Sequence, residues 1–446
     1  MAGVFWVIVF FAVPILATLF YGVTDFSIGL SALSGGFEFL YSQPLYGLSV
    51  LAGNISFVWL INQLFIAGRV KIIERSFGLD REYRFHALMG FVIIHAGVIH
   101  KILKELSGYS KTSQTLFGVL AVILMGLISV YSMFFLGQSF LTGFKPIKLF
   151  RDFMVKNLKI GYRFSKIVHS LLILAVLLIA LHIYFSSAFY LPVKWFYISY
   201  TILGLMVYIY FKKKSLSYGY IITEVIKHAN NVTSIRFFRK NGSKPPFVSG
   251  QFGFFRYKGE SHPFTISTDP SDNKLMITVK SLGDYTTSII PNAIAGEEVG
   301  FDGPYGIFGK SVFRKDRPVV MIAGGIGITP FFSIIKGLTA INSDKKLYLL
   351  WGAATQSDLV RKDELDDAKN RLKSFDYCFV LSNQSDFAGE SGYINKELIS
   401  KKIGSTLIDD PLFLLCGPPV MMNKLVKDLV SLGVKKSDII FEKFSL

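Results

Sequence analysis

RFHALMGFVIIHAGVIHKIL, residues 84–103, is the stretch on which the reading of this chain turns. It is apolar enough to lie in hydrocarbon, yet it carries His86, His95 and His100. A histidine inside a membrane is costly and asks for a function. An α-helix advances about 100° and 1.5 Å per residue. His86 and His100, 14 residues apart, therefore fall about 40° from four whole turns and about 21 Å apart along the axis. His95 lies about 180° from His86 and points elsewhere.

Around this stretch, six apolar runs reach the roughly 18–20 residues that cross a bilayer. They are 4–22, 45–67, 85–106, 114–137, 167–189 and 196–211. The first has no Lys or Arg before it and no clear small-residue cleavage site, so we expect a helix rather than a removable leader. The fifth lies in RFSKIVHSLLILAVLLIALHIYF and carries His169 and His182, 13 residues and about 20 Å apart. An ideal helix leaves them about 140° out of phase. A π-bulge, a tightened turn or an irregular stretch at His169 has to absorb the misfit.

The third and fifth runs point the same way through the membrane. His86 is then level with His169, and His100 with His182. Two imidazoles at one depth can fill both axial positions of a haem iron. Two such levels about 20 Å apart fit in a hydrocarbon layer of about 30 Å, which reads as a stack of two b-type haems. Hydrogen-bonded core histidines are the competing reading. Four histidines at matched depths on two helices favour haem. His95 falls off the pattern, and a hydrogen-bonded role is expected for it.

The net charge of +17 invites a nucleic-acid reading, but its distribution argues for topology. Arg69, Lys71, Arg75, Arg81 and Arg84 fall between the second and third runs. Lys145, Lys148, Arg151, Lys156, Lys159, Arg163 and Lys166 fall between the fourth and fifth, and Lys212, Lys213 and Lys214 follow the sixth. The opposite segments hold none in 23–44, then Lys101, Lys104 and Lys111, then Lys194. This positive-inside pattern places the amino terminus and the carboxy-terminal half in the cytoplasm of a multi-pass cell-membrane protein, with lipid and not nucleic acid as its surroundings. The two cysteines, Cys378 and Cys416, lie on that side, so no disulfide framework is expected.

From about Ser215 the character changes. GYIITEVIKH, VTSIRFFRK, GQFGFFRY, HPFTIST, KLMITVKS and EEVGFDGPYG read as short strands with turns, as in a small antiparallel barrel. In His262-Pro263-Phe264-Thr265 an aromatic followed by a hydroxyl could stack on a flavin ring and bond its reactive nitrogen; a plain strand reads equally well. Residues 316–446 alternate apolar runs with helical patterns, as βαβ units do. RPVVMIAGGIGITPFFSII is a buried strand, then Gly324-Gly325-Ile326-Gly327, then Thr329-Pro330 opening a helix. Glycines let backbone approach a pyrophosphate, and a helix amino terminus favours negative charge. A tight strand-to-helix turn would look the same. PLFLLCGPPVMM ends another apolar strand in Cys416-Gly417-Pro418, and ligands bind at such strand ends in open α/β sheets.

In order, GQF, HPFTIS, GDYT, GPYG, AGGIGITP, CGPP and a terminal FEKF resemble the ferredoxin–NADP reductase family. With the six-run, two-pair histidine segment before them, nearly the whole chain resembles the bacterial NADPH oxidases and ferric reductases, where histidine spacings of 14 and 13 also occur. The resemblance implies a six-helix transmembrane domain over 1–214 with two haem b groups on His86, His169, His100 and His182. It implies an FAD-binding barrel over 215–315 and an NAD(P)H-binding α/β domain over 316–446. Phe264, beside His262 and Pro263, would pack on the isoalloxazine, and Thr265 would contact its N5 region. Thr278, Val279, Lys280, Gly283 and Thr286 would hold the flavin's phosphates and ribityl chain. Gly324, Gly325, Gly327, Thr329, Pro330, Cys416, Gly417 and Pro418 would form the nicotinamide nucleotide site. Phe444 would cover the flavin face, and Thr265, Cys416 and Phe444 form the implied catalytic set. NADP-specific relatives carry an Arg near Ala354; here the turn is Ala353-Ala354-Thr355, which admits NADH.

The expected function is electron transfer from NAD(P)H through FAD and two haems to an outside acceptor. O₂ giving superoxide is the first expectation and a ferric chelate the second. A third reading, of another class, is an electron-transfer subunit serving a partner membrane protein or quinone, although the sequence shows no obligatory protein partner.

Overall fold

Hydrocarbon leaves no water to satisfy a peptide group, so apolar runs of this length fold as helices. We number them α1 (Pro44–Ala67), α2 (Lys71–Phe77), α3 (Leu79–Leu106), α4 (Ser113–Phe135), α5 (Lys145–Leu158), α6 (Tyr162–Ser170), α7 (Leu172–Tyr184) and α8 (Leu191–Ser215). The computed structural model describes residues 12–16, 43–108, 113–135, 145–158, 162–186, 191–215, 219–314, 316–384, 386–387, 389–407 and 409–443. The chain divides into two compact units, Met1–Lys212 and Lys213–Leu446. Five stretches are long and apolar enough to cross a membrane: Pro44–Ala67, Arg81–Leu106, Gln114–Phe135, Phe164–Tyr184 and Val193–Ser215. Of the sixth expected run, 4–22, only 12–16 is described, so five spans and not six stand among the described residues.

Four of the spans present apolar side chains outward. Leu116, Leu120, Ile123, Leu127 and Val130 make an exposed stripe at helical spacing on α4. Ile167, Leu174, Leu177 and Leu181 do so on α6 and α7. Stripes of this size mark a surface that an apolar partner covers, and a bilayer would cover all four. α1 differs, with 67% of its span enclosed against 17% to 22% for the others. It carries Ser49, Asn54, Ser56, Asn62 and Gln63 into the interior. Buried polar groups need partners: Tyr197 Oη donates to Asn54 Oδ1, Tyr200 Oη to Asn62 Oδ1 at 2.5 Å, and Ser56 Oγ to the Ile93 carbonyl at 2.9 Å.

The misfit of the fifth run is absorbed at Leu171, between α6 and α7. Leu171 N–H donates to Val168 at 3.1 Å and Leu174 N–H to Leu171 at 2.9 Å, both three residues back. Such a turn advances about 120° per residue instead of 100°, which rotates His182 toward the phase of His169. The irregularity is therefore a tightened turn and not a π-bulge.

The carboxy-terminal unit opens with β1 (Tyr220–His228), β2 (Val232–Arg239), β3 (Phe252–Tyr257), β4 (Glu260–Thr265), β5 (Leu275–Lys280) and β6 (Glu298–Tyr305). They form one antiparallel sheet in the order β4-β3-β6-β1-β2-β5. Alternate residues of β3 are buried, as the period of a strand requires. The inward side chains include Ile235, Phe237, Phe255, Ile277 and Val299. The sheet curls far enough that Ser267, just past β4, donates its amide to Met276 of β5 at 2.8 Å.

After α9 (Lys310–Arg314) comes a parallel sheet of β7 (Val319–Gly324), β8 (Leu347–Ala353), β9 (Phe375–Leu381), β10 (Glu390–Ser391), β11 (Leu412–Gly417) and β12 (Ile439–Lys443). Its helices are α10 (Thr329–Ala340), α11 (Asp363–Arg371), α12 (Lys396–Leu407) and α13 (Pro419–Ser431). Every residue of β7 and β11 is buried, as expected of strands covered on both faces. The order β10-β9-β8-β7-β11-β12 reverses between β7 and β11. Open α/β sheets bind ligands outside the carboxyl ends of the strands at that reversal.

Candidate functional site

In the amino-terminal unit the four histidines pair as their depths require. The ring centroids of His86 and His169 are 5.9 Å apart. Those of His100 and His182 are 6.4 Å apart. Metal–imidazole bonds of about 2.0–2.1 Å on opposite sides of one iron put two ring centroids about 6 Å apart, so both gaps suit a bis-histidine iron.

The second nitrogen of each ring decides whether the first can be a ligand. His100 Nδ1 lies 2.7 Å from the Ser49 carbonyl. His182 Nδ1 lies 2.8 Å from the Gln114 carbonyl. A carbonyl only accepts, so both rings carry their proton on Nδ1 and leave Nε2 with a lone pair. Ser132 Oγ sends its one proton to the Ile128 carbonyl at 2.7 Å and so accepts from His169 Nδ1 at 2.9 Å. That ring takes the same tautomer. His86 Nδ1 has no partner among the described residues. Two glycines let the outer rings fit: a Cβ at Gly53 would lie 2.8 Å from His100 Nδ1, and one at Gly118 would lie 3.1 Å from His182 Nδ1. His95 is exposed, bonds the Phe91 carbonyl of its own helix at 2.8 Å and lies tilted against the Phe91 ring, in neither pair.

In the carboxy-terminal unit β4 carries His262 to Thr265. Thr265 is 4% exposed and its Oγ1 has no partner among the described residues, which fits a hydroxyl kept for a ligand. His262 stacks on Tyr285 with centroids 4.1 Å apart and bonds Glu260 at 3.0 Å. Pro263 is exposed and Phe264 half-buried beside the core. Gly283 stands exposed before a short helical turn, where Thr286 Oγ1 accepts the amides of Leu282 and Gly283 at 2.9 and 3.0 Å.

Three side chains expected at the flavin serve packing or the seam between the two sheets. Val279 is buried in the sheet core. Thr278 Oγ1 already meets Ser234, Ser267 and Arg361. Lys280 Nζ pairs with Asp358 at 2.8 Å. The seam is centred on Arg361, which bonds Glu364 through Nε and Nη2 at 2.9 and 2.8 Å and crosses to Thr278 and the Ser267 carbonyl. Burial pushes the Glu364 carboxyl up, but Arg361 and Lys336 hold it below its usual range. The basic residue was visible in the sequence, but nothing local signals that its partners come from β5 and the turn after β4.

Beside the carboxyl ends of β7 and β8 a crevice is lined by Val232, Lys280, Gly325, Ile326, Ile328, Trp351, Asp358 and Val360. The glycines around it divide in role. A Cβ on Gly327 would lie 2.3 Å from the Cys416 carbonyl, and one on Gly324 would lie 2.5 Å from Met421 Sδ. One on Gly417 would lie 3.1 Å from the Gly324 backbone, so these three let β7 and β11 close together. Gly325 has φ 54° and open space where a side chain would stand, and it lines the crevice. Trp351 Nε1 fixes its carbonyl at 3.0 Å. Thr329 and Pro330 open α10 beside it, and Pro418 precedes α13. Cys416 is fully buried in the apolar cluster around Trp351, and burial with nearby Glu442 pushes its thiol well above the ordinary range. A thiol so placed is ill suited to the catalytic role expected of it. Phe444 lies outside the described residues.

Residues 217–308 match an FAD-binding domain family and residues 321–427 an oxidoreductase NAD-binding domain family. The 2-halobenzoate 1,2-dioxygenase electron transfer component of Burkholderia cepacia is 26% identical over 239 residues, covering 52% of this chain and 69% of that protein. NADH-cytochrome b5 reductase 1 of Candida glabrata is 34% identical over 146 residues, covering 32% of this chain and 50% of that protein. The chain thus spans about half the length of the reductase. Among solved structures, the flavohaem-like FAD/NAD-binding domain of nitric oxide dioxygenase from Vibrio cholerae aligns with a TM-score of 0.47 and 23% identity, covering 51% of this chain and 98% of that one. The carboxy-terminal unit of this protein is a ferredoxin–NADP reductase-type pair, an FAD-binding domain followed by an oxidoreductase NAD-binding domain.

Proposed function

We propose that the chain carries electrons from cytoplasmic NAD(P)H through FAD and two bis-histidine b-type haems to an acceptor outside the cell membrane, with O₂ reduced to superoxide as the leading case. The observation that carries the reading is that three of the four paired imidazoles are held as Nδ1–H tautomers with Nε2 left for a metal. Bound FAD would take two electrons at once and pass them singly to haem iron, which is the chemistry these groups supply. Around it, Thr265 would offer its hydroxyl at the flavin N5 and Phe264 its ring. Gly325 and the amino terminus of α10 would receive the nucleotide's phosphates. Moving each electron outward gains roughly 2.3 kcal/mol per 100 mV of inside-negative potential.

His86, His169, His100 and His182 would each give Nε2 to a haem iron, which would leave an outside acceptor, O₂ or a ferric chelate, to take electrons without binding the metal. A second reading follows from the relatives named as electron transfer components, in which a partner protein takes the electrons. NADH is expected to serve at least as well as NADPH. The turn after β8 carries Ala354, and Arg361 nearby is already bonded to Glu364 and Thr278. The deciding experiment is a reduced-minus-oxidised spectrum and haem count on purified protein. An acceptor assay in vesicles, with and without superoxide dismutase, follows it. Absence of haem bands sinks the proposal. Haem without oxygen consumption moves the acceptor to ferric iron or a partner.

A further inference from the structure

We propose that Gln63 holds His86, accepting its Nδ1–H through Oε1, and thereby sets the reduction potential of the inner haem; this rests on the haem reading above. The packing of α1 on α3 repeats every seven residues. The Ser49 carbonyl accepts His100 Nδ1 at 2.7 Å, and Ser49 Oγ donates to the His100 carbonyl at 3.0 Å. Seven residues along α1 and seven back along α3, Ser56 Oγ donates to the Ile93 carbonyl at 2.9 Å. A heptad returns a straight helix to within about 20° of the same face. One more step of the same antiparallel ladder sets position 63 against position 86, and their occupants are Gln63 and His86.

Both ends of that step lack partners. Gln63 is 8% exposed, and neither Oε1 nor Nε2 has a hydrogen bond among the described residues. His86 Nδ1 is likewise buried and unpaired. Glu82 lies one turn before His86 on the same face of α3, 2% exposed, with neither carboxylate oxygen hydrogen-bonded among the described residues. The inventory is complementary. His86 Nδ1–H donates to Gln63 Oε1, and Gln63 Nε2–H donates to Glu82, which decides which way round the amide sits. Groups left unpaired in hydrocarbon are costly, so a turn of the Gln63 side chain that satisfies them is favoured. An imidazole whose outer N–H is accepted is a more basic ligand, which favours ferric over ferrous iron and lowers the potential.

The test is potentiometric titration of the purified full chain, with His86→Ala identifying the inner haem as the one it removes. Gln63→Leu should retain two haems and favour the reduced form of the inner one by about tenfold, which is about 59 mV for one electron. The outer haem should stay at its native midpoint. Gln63→Glu, a stronger acceptor, should move the inner midpoint the opposite way. Loss of the inner haem alone from Gln63→Leu supports the same assignment, because outer-sphere partners also set affinity. Two haems with both midpoints native, or both shifted together, would overturn the role of Gln63 and leave the haem reading standing. A native protein without haem bands overturns that reading itself. Should the leucine chain fail to accumulate, Gln63→Asn keeps the amide but shortens its reach, and the same outcomes decide.

Discussion

The outer and inner histidine pairs are held by different parts of the chain. At the outer level both Nδ1–H groups go to backbone carbonyls, Ser49 and Gln114. Each carbonyl has a glycine four residues on, Gly53 and Gly118, against the same ring. One device is thus used twice, on α1 for α3 and on α4 for α7. At the inner level His169 is held by a side chain, Ser132, and His86 by no described partner. A helix carbonyl cannot turn away from its ring, whereas a serine or glutamine can. The outer pair is therefore rigid and sterically gated, and the inner pair adjustable.

If that contrast is right, steric change should be fatal only outside. His100→Ala should remove the outer haem and stop acceptor reduction, with flavin reduction by nucleotide intact. Gly53→Ala should approach the same result with every histidine retained, because its methyl would sit 2.8 Å from His100 Nδ1. Gly118→Ala, at 3.1 Å, should be milder. Gly90→Ala and Gly126→Ala, which meet nothing within 4 Å, should keep both haems. Haem counts on the five variants check this. Two haems in Gly53→Ala would break the idea of a steric gate.

The same division between backbone and side-chain holding recurs in the carboxy-terminal unit. Gly327 closes on the Cys416 carbonyl, whereas the seam between the sheets hangs on Arg361. Arg361→Met leaves the partly buried Glu364 with Lys336 as its remaining cation and should cost about 2–3 kcal/mol, somewhat less than the loss of one partner from a fully buried pair. The seam should also be acid-sensitive. The Glu364 value is depressed in the fold, so its stabilisation is present at neutral pH and above 4.5, and is lost as pH falls through the folded value. Thermal melts of Glu364→Gln and native protein should therefore differ at pH 7 and converge in acid. A gap that persists in acid would mean packing, not charge, holds the seam.

Thr265→Val keeps the side-chain volume and removes the unpaired hydroxyl. One hydrogen bond to the flavin at stake, about 1–1.5 kcal/mol, slows nucleotide-driven flavin reduction by roughly tenfold. Stopped-flow reduction with flavin content unchanged is the measurement, and a native rate would leave the buried hydroxyl without this role.

The sequence already carried the depth pairing, because rise per residue is a property of any helix and needs no neighbour. His86 with His169 and His100 with His182 follow from it. The phase of His182 was only half legible: the misfit was visible, but the place of the tightened turn depends on how α6 and α7 pack. Motif order gave away the βαβ half and the strand ends at Gly324 and Cys416. It could not tell a glycine that meets a ligand from one that meets a strand, since both need a missing Cβ. Gly325 is open and Gly327 is closed, and only the approach of β11 separates them. The partners of Thr278 and Lys280 were illegible for a similar reason, as Arg361 and Asp358 lie some 80 residues downstream and meet them through tertiary packing.

The smallest expected effect is at Ser132. Its hydroxyl accepts the His169 Nδ1–H at 2.9 Å while donating to Ile128 in its own helix. Ser132→Ala deletes one neutral hydrogen bond of about 1 kcal/mol, which corresponds to roughly fivefold in the reduction equilibrium of the inner haem. The sign is fixed by the direction of the bond. Losing an acceptor makes His169 a weaker donor to iron, so the inner midpoint should rise, as in Gln63→Leu, but by less. Ser132 and Gln63 would act through different rings of the same pair, so the double variant should raise the inner midpoint further than either change alone, and any departure from the sum measures their coupling. The outer midpoint should not move, because nothing at Ser49 or Gln114 has changed. Redox titration of Ser132→Ala, Gln63→Leu and the double variant measures all three shifts. An outer haem that moves with the inner one would show that the two levels respond as a unit, and the contrast between a rigid and an adjustable pair would fail.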